Sequence, residues 1–121
     1  MSKAEELEIQ IEKTTDGVIV RPVGDVDLGC APTLRQRLKE VQNENPERLV
    51  IDLSAVPYMD SSGVGSLVEA LVRAKHRGRR FSLVSAHPAT LRALRLARLD
   101  EVFTVHETLE GAAQARRAAV S

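Results

Sequence analysis

The segment Leu49-Val50-Ile51-Asp52-Leu53 constrains this chain more than any other. Its nearly continuous apolar run reads as a strand buried on both faces, which occurs in sheets covered by helices. A short loop follows. Then Val64, Leu67, Val68, Leu71 and Val72 fall at i, i+3, i+4, i+7 and i+8, one stripe of an amphipathic helix. That helix closes with basic residues and Gly78, a C-terminal signature. A buried strand feeding an amphipathic helix is the unit of an α/β fold.

The other segments extend the pattern. Leu7, Ile9 and Ile11 alternate with Glu8, Gln10 and Glu12, giving a half-buried strand. Thr14-Thr15-Asp16-Gly17 is a hairpin turn into a second strand, Val18 to Val23. Pro22 lacks an N–H, so that strand should end, bulge or lie at an edge there. Gly24-Asp25-Val26-Asp27 is a loop. Pro32 starts a helix carrying Leu34, Leu38 and Val41, stopped by Asn43 to Pro46. Phe81, Leu83 and Val84 make a further strand, Thr90 to Arg98 a helix with Leu91 and Leu94 inward, and Val102 to Val105 a short strand. Thr108 opens a last, Ala-rich helix. The expected order is ββαβαβαβα, a small mixed β-sheet with packed helices: an antiparallel hairpin, then parallel strands with right-handed crossovers. Residues 1–6 are expected as a flexible N-terminal leader and residues 7–121 as one domain.

Composition removes several classes. The 121 residues carry 17 basic and 17 acidic side chains and only 2% aromatics. Zero net charge and few stacking rings argue against direct nucleic-acid binding. No apolar run approaches the roughly 20 residues a spanning helix needs. One cysteine, Cys30, and a polar N-terminus without a secretory pattern predict a cytoplasmic protein with no membrane partner. His76, His87 and His106 lack metal-ligand spacing and read as surface residues, so no metal or cofactor is expected. Cys30 reads as a small packed residue.

The chemistry-bearing segment is Met59-Asp60-Ser61-Ser62-Gly63-Val64-Gly65, at the start of the best helix. In open α/β sheets, binding sites lie beyond the carboxyl ends of the strands. A helix N-terminus there has unpaired N–H groups and favours negative charge, a partly prepared place for a phosphate on Ser61 or Ser62. Asp60 or Ser61 also reads as a simple N-cap, worth about 1 kcal/mol. Two glycines in the first turns cost up to about 1 kcal/mol each relative to alanine. A cap does not need them; a surface that another backbone approaches closely does.

These residues resemble the signature of the STAS domain family (sulfate transporter and anti-sigma-factor antagonist), and in particular stand-alone bacterial anti-sigma-factor antagonists. Gly24-Asp25-Val26-Asp27 with Ala31, Pro32 and Leu34 resembles the family's second landmark. Val50 to Ser54 resembles its central strand. Asp25 stands where the family more often has Glu, which keeps the loop acidic. The resemblance covers roughly Leu7 to Ala119. It implies a non-enzymatic binding protein with Ser61 as phosphoacceptor and Asp25, Asp27, Asp60, Ser62, Gly63 and Gly65 on the partner face. The implied partners are an anti-sigma factor with serine kinase activity and a serine phosphatase. The unphosphorylated form would bind the kinase and release its sigma factor; phosphorylation would end that complex.

Two other readings stay open: a non-switching accessory subunit of a transporter ATPase or stress-sensing scaffold, and a nucleotide or small-ligand binder. Asp52 ends a strand as a receiver phosphoacceptor does, but no lysine follows Lys75, so a structural role is expected. Gly24 to Gly29 precedes no Gly-Lys-Ser/Thr and is no P-loop. No nucleophile elbow surrounds Ser61 or Ser62. The cations Arg73, Lys75, Arg77, Arg79 and Arg80 read as a solvated helix C-terminus rather than a site for an anionic partner.

Overall fold

A computed structural model of the chain describes residues 7–109. The elements are β1 (Glu8–Lys13), β2 (Gly17–Val23), α1 (Ala31–Asn43), β3 (Arg48–Asp52), α2 (Ser61–His76), β4 (Arg80–Val84), α3 (Pro88–Leu96) and β5 (Val105–His106). They form one five-stranded sheet in the order β1-β2-β3-β4-β5. β1 and β2 pair antiparallel; every later pairing is parallel. The expected mixed sheet and alternation are therefore present. The expected leader, residues 1–6, and the body of the last helix lie outside the described residues.

β3 is buried as its sequence predicts, because both faces are covered. Leu49 and Ile51 join a core with Leu34 and Leu38 of α1, Leu67 and Leu71 of α2, and Leu94 of α3. Val50, on the opposite face, packs with Val84, Ile19 and Leu109. Pro22 is tolerated in β2 because the parallel ladder to β3 covers only Gly17 to Val20, so β2 has left β3 before Pro22.

Three boundaries differ from expectation. The buried stripe of α2 runs Gly63, Val64, Leu67, Ala70, Leu71 and Ala74, while Val72 is exposed. Ala70 and Ala74 are buried on this face, so the largest aliphatic residues do not all mark it. α3 begins at Pro88, whose fixed φ suits the first turn, and it buries Thr90 and Leu94 while Leu91 is only half-buried. Val102 lies in a turn rather than a strand: the N–H groups of Val102 and Phe103 both donate to the Leu99 carbonyl, at 2.9 and 3.1 Å. Phe103 then packs on Phe81, ring centroids 6.0 Å apart, and β5 shrinks to Val105–His106.

The end of α2 matches its sequence signature. Gly78 has φ 65°, the Arg79 N–H donates to the Ala74 carbonyl at 2.8 Å, and the Gly78 N–H to the Lys75 carbonyl at 3.1 Å. This is the paired bonding of a glycine-terminated helix.

Candidate functional site

Two loops build the site at the carboxyl ends of β2 and β3. The Gly24–Cys30 loop runs beside the Ser54–Asp60 loop, and Val26 and Met59 form a parallel bridge. The Gly24 N–H donates to the Ala55 carbonyl (2.8 Å), the Val26 N–H to the Tyr58 carbonyl (2.9 Å), and the Asp60 N–H to the Val26 carbonyl (3.0 Å). Gly24 enters this path at φ 111°, a conformation that favours glycine.

Asp60 is the N-cap of α2. Its Oδ1 accepts from the N–H groups of Ser62 (2.9 Å) and Gly63 (3.2 Å). Its Oδ2 accepts from the Leu28 N–H at 3.2 Å. One carboxylate thus caps the helix and fixes the neighbouring loop. The cap expectation holds for Asp60, and it corrects the expectation of a prepared phosphate site: the donors a phosphate would use on Ser62 and Gly63 are already taken. The helix dipole remains, worth about 0.3–1 kcal/mol to a nearby anion.

Ser61 is the first residue of α2 and is exposed. No hydrogen bond of its hydroxyl exists among the described residues. Ser62 is half-buried, and its carbonyl accepts from the Ser66 hydroxyl at 3.2 Å. Buried Ser66 also lies 3.3 Å from the Ala31 carbonyl, linking the first turns of the two helices.

The two glycines differ. A Cβ on Gly63 would come within 2.4 Å of Met59 Cγ and 2.9 Å of Val26 Cγ1. Gly63 is buried, and any side chain there would crowd the fold's own packing. A Cβ on Gly65 would meet nothing within 4 Å, so open space adjoins it.

Asp25 and Asp27 are exposed. Asp27 Oδ1 accepts from the Gly29 N–H at 3.0 Å, and its carbonyl accepts from the Ala31 N–H at 2.8 Å. Asp27 therefore shapes the loop entering α1; no partner of the Asp25 carboxylate exists among the described residues. Cys30 is buried, and its thiol donates toward the Asp25 carbonyl at 3.3 Å. Burial pushes that thiol above its ordinary pKa, and Cys30 sits in the core cluster, the packed role expected.

Asp52 is structural. Its Oδ2 accepts from Arg21 Nε at 2.8 Å and its Oδ1 from the Ser54 N–H at 2.9 Å. Burial pushes this carboxyl up, but the bonds from Arg21 and Ser54 outweigh it and leave it below the ordinary carboxylate value. His87 is a half-buried residue whose Nε2 donates to the Ser54 carbonyl at 2.8 Å, rather than a free surface histidine. Among the described residues no group of His, Cys, Asp and Glu is placed to hold a metal, and no helix is long and apolar enough to cross a membrane.

Sequence reasoning overlooked two residues on this face. Leu28 is 74% exposed and Tyr58 49% exposed. The available signal was that Leu28 belongs to no helical or strand periodicity.

The chain belongs to the STAS domain family: the family's profile matches residues 8–112. It is 35% identical over 98 residues to the anti-sigma-F factor antagonist RsfB of Mycobacterium tuberculosis, covering 80% of each chain. It is 25% identical over 108 residues to the anti-sigma-B factor antagonist of Bacillus subtilis, covering 89% of this chain and 98% of that one. The crystal structure of an anti-sigma factor antagonist from Mycobacterium paratuberculosis superposes with a TM-score of 0.85 at 32% identity, covering 97% of this chain and 99% of the other.

Proposed function

We propose that this protein is an anti-sigma-factor antagonist that acts in the cytoplasm by binding, not catalysis. Unphosphorylated, it binds an anti-sigma factor that is also a serine kinase and releases the sigma factor held there. Phosphorylation of Ser61 by that kinase ends the complex, and a serine phosphatase restores it. The observation carrying this reading is the free, exposed hydroxyl of Ser61 beside a carboxylate that has already taken the helix's donors. Two relatives named as anti-sigma factor antagonists support the antagonist part of this reading.

Phosphate adds about −1.5 to −2 charges. On Ser61 it adjoins Asp60, which holds the Ser62 and Gly63 N–H groups and, through the Leu28 N–H, the loop that carries Asp25 and Asp27. Where the Ser61 hydroxyl is packed against the partner, the bulk of the phosphate and the cost of desolvating it oppose binding, and about 3 kcal/mol is already over a hundredfold in affinity. Asp60 keeps the helix capped throughout, so the modification changes the surface and leaves the fold intact.

The test is a pull-down from native lysate with wild-type, Ser61→Ala and Ser61→Asp baits, followed by calorimetry with the recovered partner and mass spectrometry of Ser61. Wild type and Ser61→Ala should recover a serine-kinase anti-sigma factor, with Ser61→Asp weakened by about a hundredfold. Recovery of one ATPase or scaffold by all three, with Ser61 unmodified, would sink this reading in favour of a non-switching subunit.

A further inference from the structure

From the Ser61 face we infer that Leu28 is the apolar anchor of the partner complex, and that it enters an apolar pocket ringed by Lys and Arg on the anti-sigma factor. This rests on the proposed function and specifies what that partner must present. Three observations carry it.

The backbone around Leu28 is hydrogen-bonded on both sides while its side chain faces water. Its own N–H is bonded to Asp60, the Gly29 and Ala31 N–H groups are bonded to Asp27, and the Val26 N–H is bonded to the Tyr58 carbonyl. An exposed leucine on a mobile loop would cost ordering entropy on binding; one on a braced loop is already positioned. Asp60 also fixes its place relative to Ser61, because the same carboxylate caps the helix that Ser61 begins.

The unpaired charge on the two loops is acidic, since Arg21 and Arg35 at their borders are paired with Asp52 and Glu69. No Lys or Arg occurs from Pro22 to Leu34 or from Asp52 to Val72, the two segments that form this face. Asp25 and Asp27 stand exposed at its rim. Leu96, the other strongly exposed leucine at 80%, lies instead on a helix with Arg92 and Arg95. An acidic rim around an apolar projection matches a cationic rim around an apolar recess.

A second copy is a poor occupant for the same reason. A two-fold contact through this face would set Asp25 and Asp27 against their own counterparts. The two contributions should separate kinetically: rim charge governs association and its salt dependence, whereas a buried anchor governs dissociation.

The test measures binding kinetics of the anti-sigma factor recovered by wild-type protein, at several salt concentrations. The variants are Leu28→Ser, Leu28→Met, Asp25→Asn, Leu96→Ser and Ser61→Asp. Leu28→Ser should weaken binding about tenfold or more, mainly through faster dissociation and with an unchanged salt dependence. Leu28→Met should retain most of the affinity, Asp25→Asn should slow association and flatten the salt dependence, and Leu96→Ser should change nothing. Since Leu28 is exposed, the thermal midpoint of Leu28→Ser should match wild type. If Leu28→Ser binds within twofold of wild type while Ser61→Asp is lost, the anchor is wrong and the switch stands. If Leu28→Ser is weakened and Ser61→Asp is not, the anchor stands and the switch is wrong. A wild-type dimer that Leu28→Ser dissolves would assign Leu28 to self-association and overturn the inference. Recovery of no anti-sigma factor overturns both readings.

Discussion

The two ends of the sheet both carry charge, and they use it differently. At the far end from Ser61, Arg73, Arg77 and Arg79 bond inward. Arg73 donates to the Gln42 side-chain oxygen at 2.6 Å, Arg77 to the Gln42 carbonyl at 2.6 Å, and Arg79 to Asn45 Oδ1 at 3.0 Å. Buried Gln42 completes the node by donating to the Ala70 carbonyl at 2.9 Å. Arg73, Arg77 and Arg79 thus fasten the end of α1 to α2 rather than standing merely solvated. At the Ser61 end, Asp60 and Asp27 satisfy backbone groups, while Asp25, Ser61 and Leu28 face solvent. Charge engaged within the fold supports it; charge left free, beside an unbonded hydroxyl and a braced apolar side chain, is what a partner can use.

The largest expected effect comes from removing the hub of the Ser61 end. Asp60→Ala releases three backbone N–H groups and should cost about 2–3 kcal/mol in denaturant unfolding, combining a lost cap with a lost loop tie. Amide exchange at Leu28 should accelerate together with that at Gly63; protection unchanged at Leu28 would break the link between loop and helix. Next is the glycine pair. Gly63→Ala should destabilise by about 1–3 kcal/mol through overpacking against Met59 and Val26, whereas Gly65→Ala should be neutral or stabilising by up to about 1 kcal/mol. Equal penalties would contradict the crowding expected at Gly63.

Smaller differences test the charges directly. Arg77→Gln should lose about 0.5–1 kcal/mol of stability, since its bond to the Gln42 carbonyl is only part-buried, and Asp25→Asn should stay within about 0.5 kcal/mol of wild type. The reverse ranking would contradict the assignment of engaged and free charge. The smallest effect concerns Asp52, a carboxylate at the Ser61 end that is engaged by Arg21. Its pKa is lower folded than unfolded, so as pH falls the unfolded chain takes up the proton first. Its contribution is full above about pH 5 and is lost as pH drops below about 4, through the depressed folded value. The stability gap between wild type and Asp52→Asn, followed by urea unfolding, should therefore narrow from pH 7 to pH 3. A constant gap would show that the charge of Asp52 is immaterial.

The fold was legible because burial imposes periodicity. Alternation in β1, the apolar run of β3 and the spacing of Leu34, Leu38 and Val41 each report which faces meet water. The misreadings fall where periodicity is weak: Val102 in a turn, Thr90 buried in place of Leu91, Val72 exposed beside buried Ala70 and Ala74. The site was legible in outline. Asp60 before Ser61 signals a helix cap, and Gly63 and Gly65 signal that something lies close.

By itself, then, the sequence determined the order of strands and helices, the family and the segment where the site lies, since these follow from hydrophobic pattern and local chemistry. Only the tertiary structure decided that Gly63 serves internal packing and Gly65 does not, that Asp60 joins two segments 32 residues apart, that Arg73, Arg77 and Arg79 are engaged, and that Leu28 is left in water. Each of those depends on which distant residue occupies the adjacent space, and spacing along a chain carries no record of that.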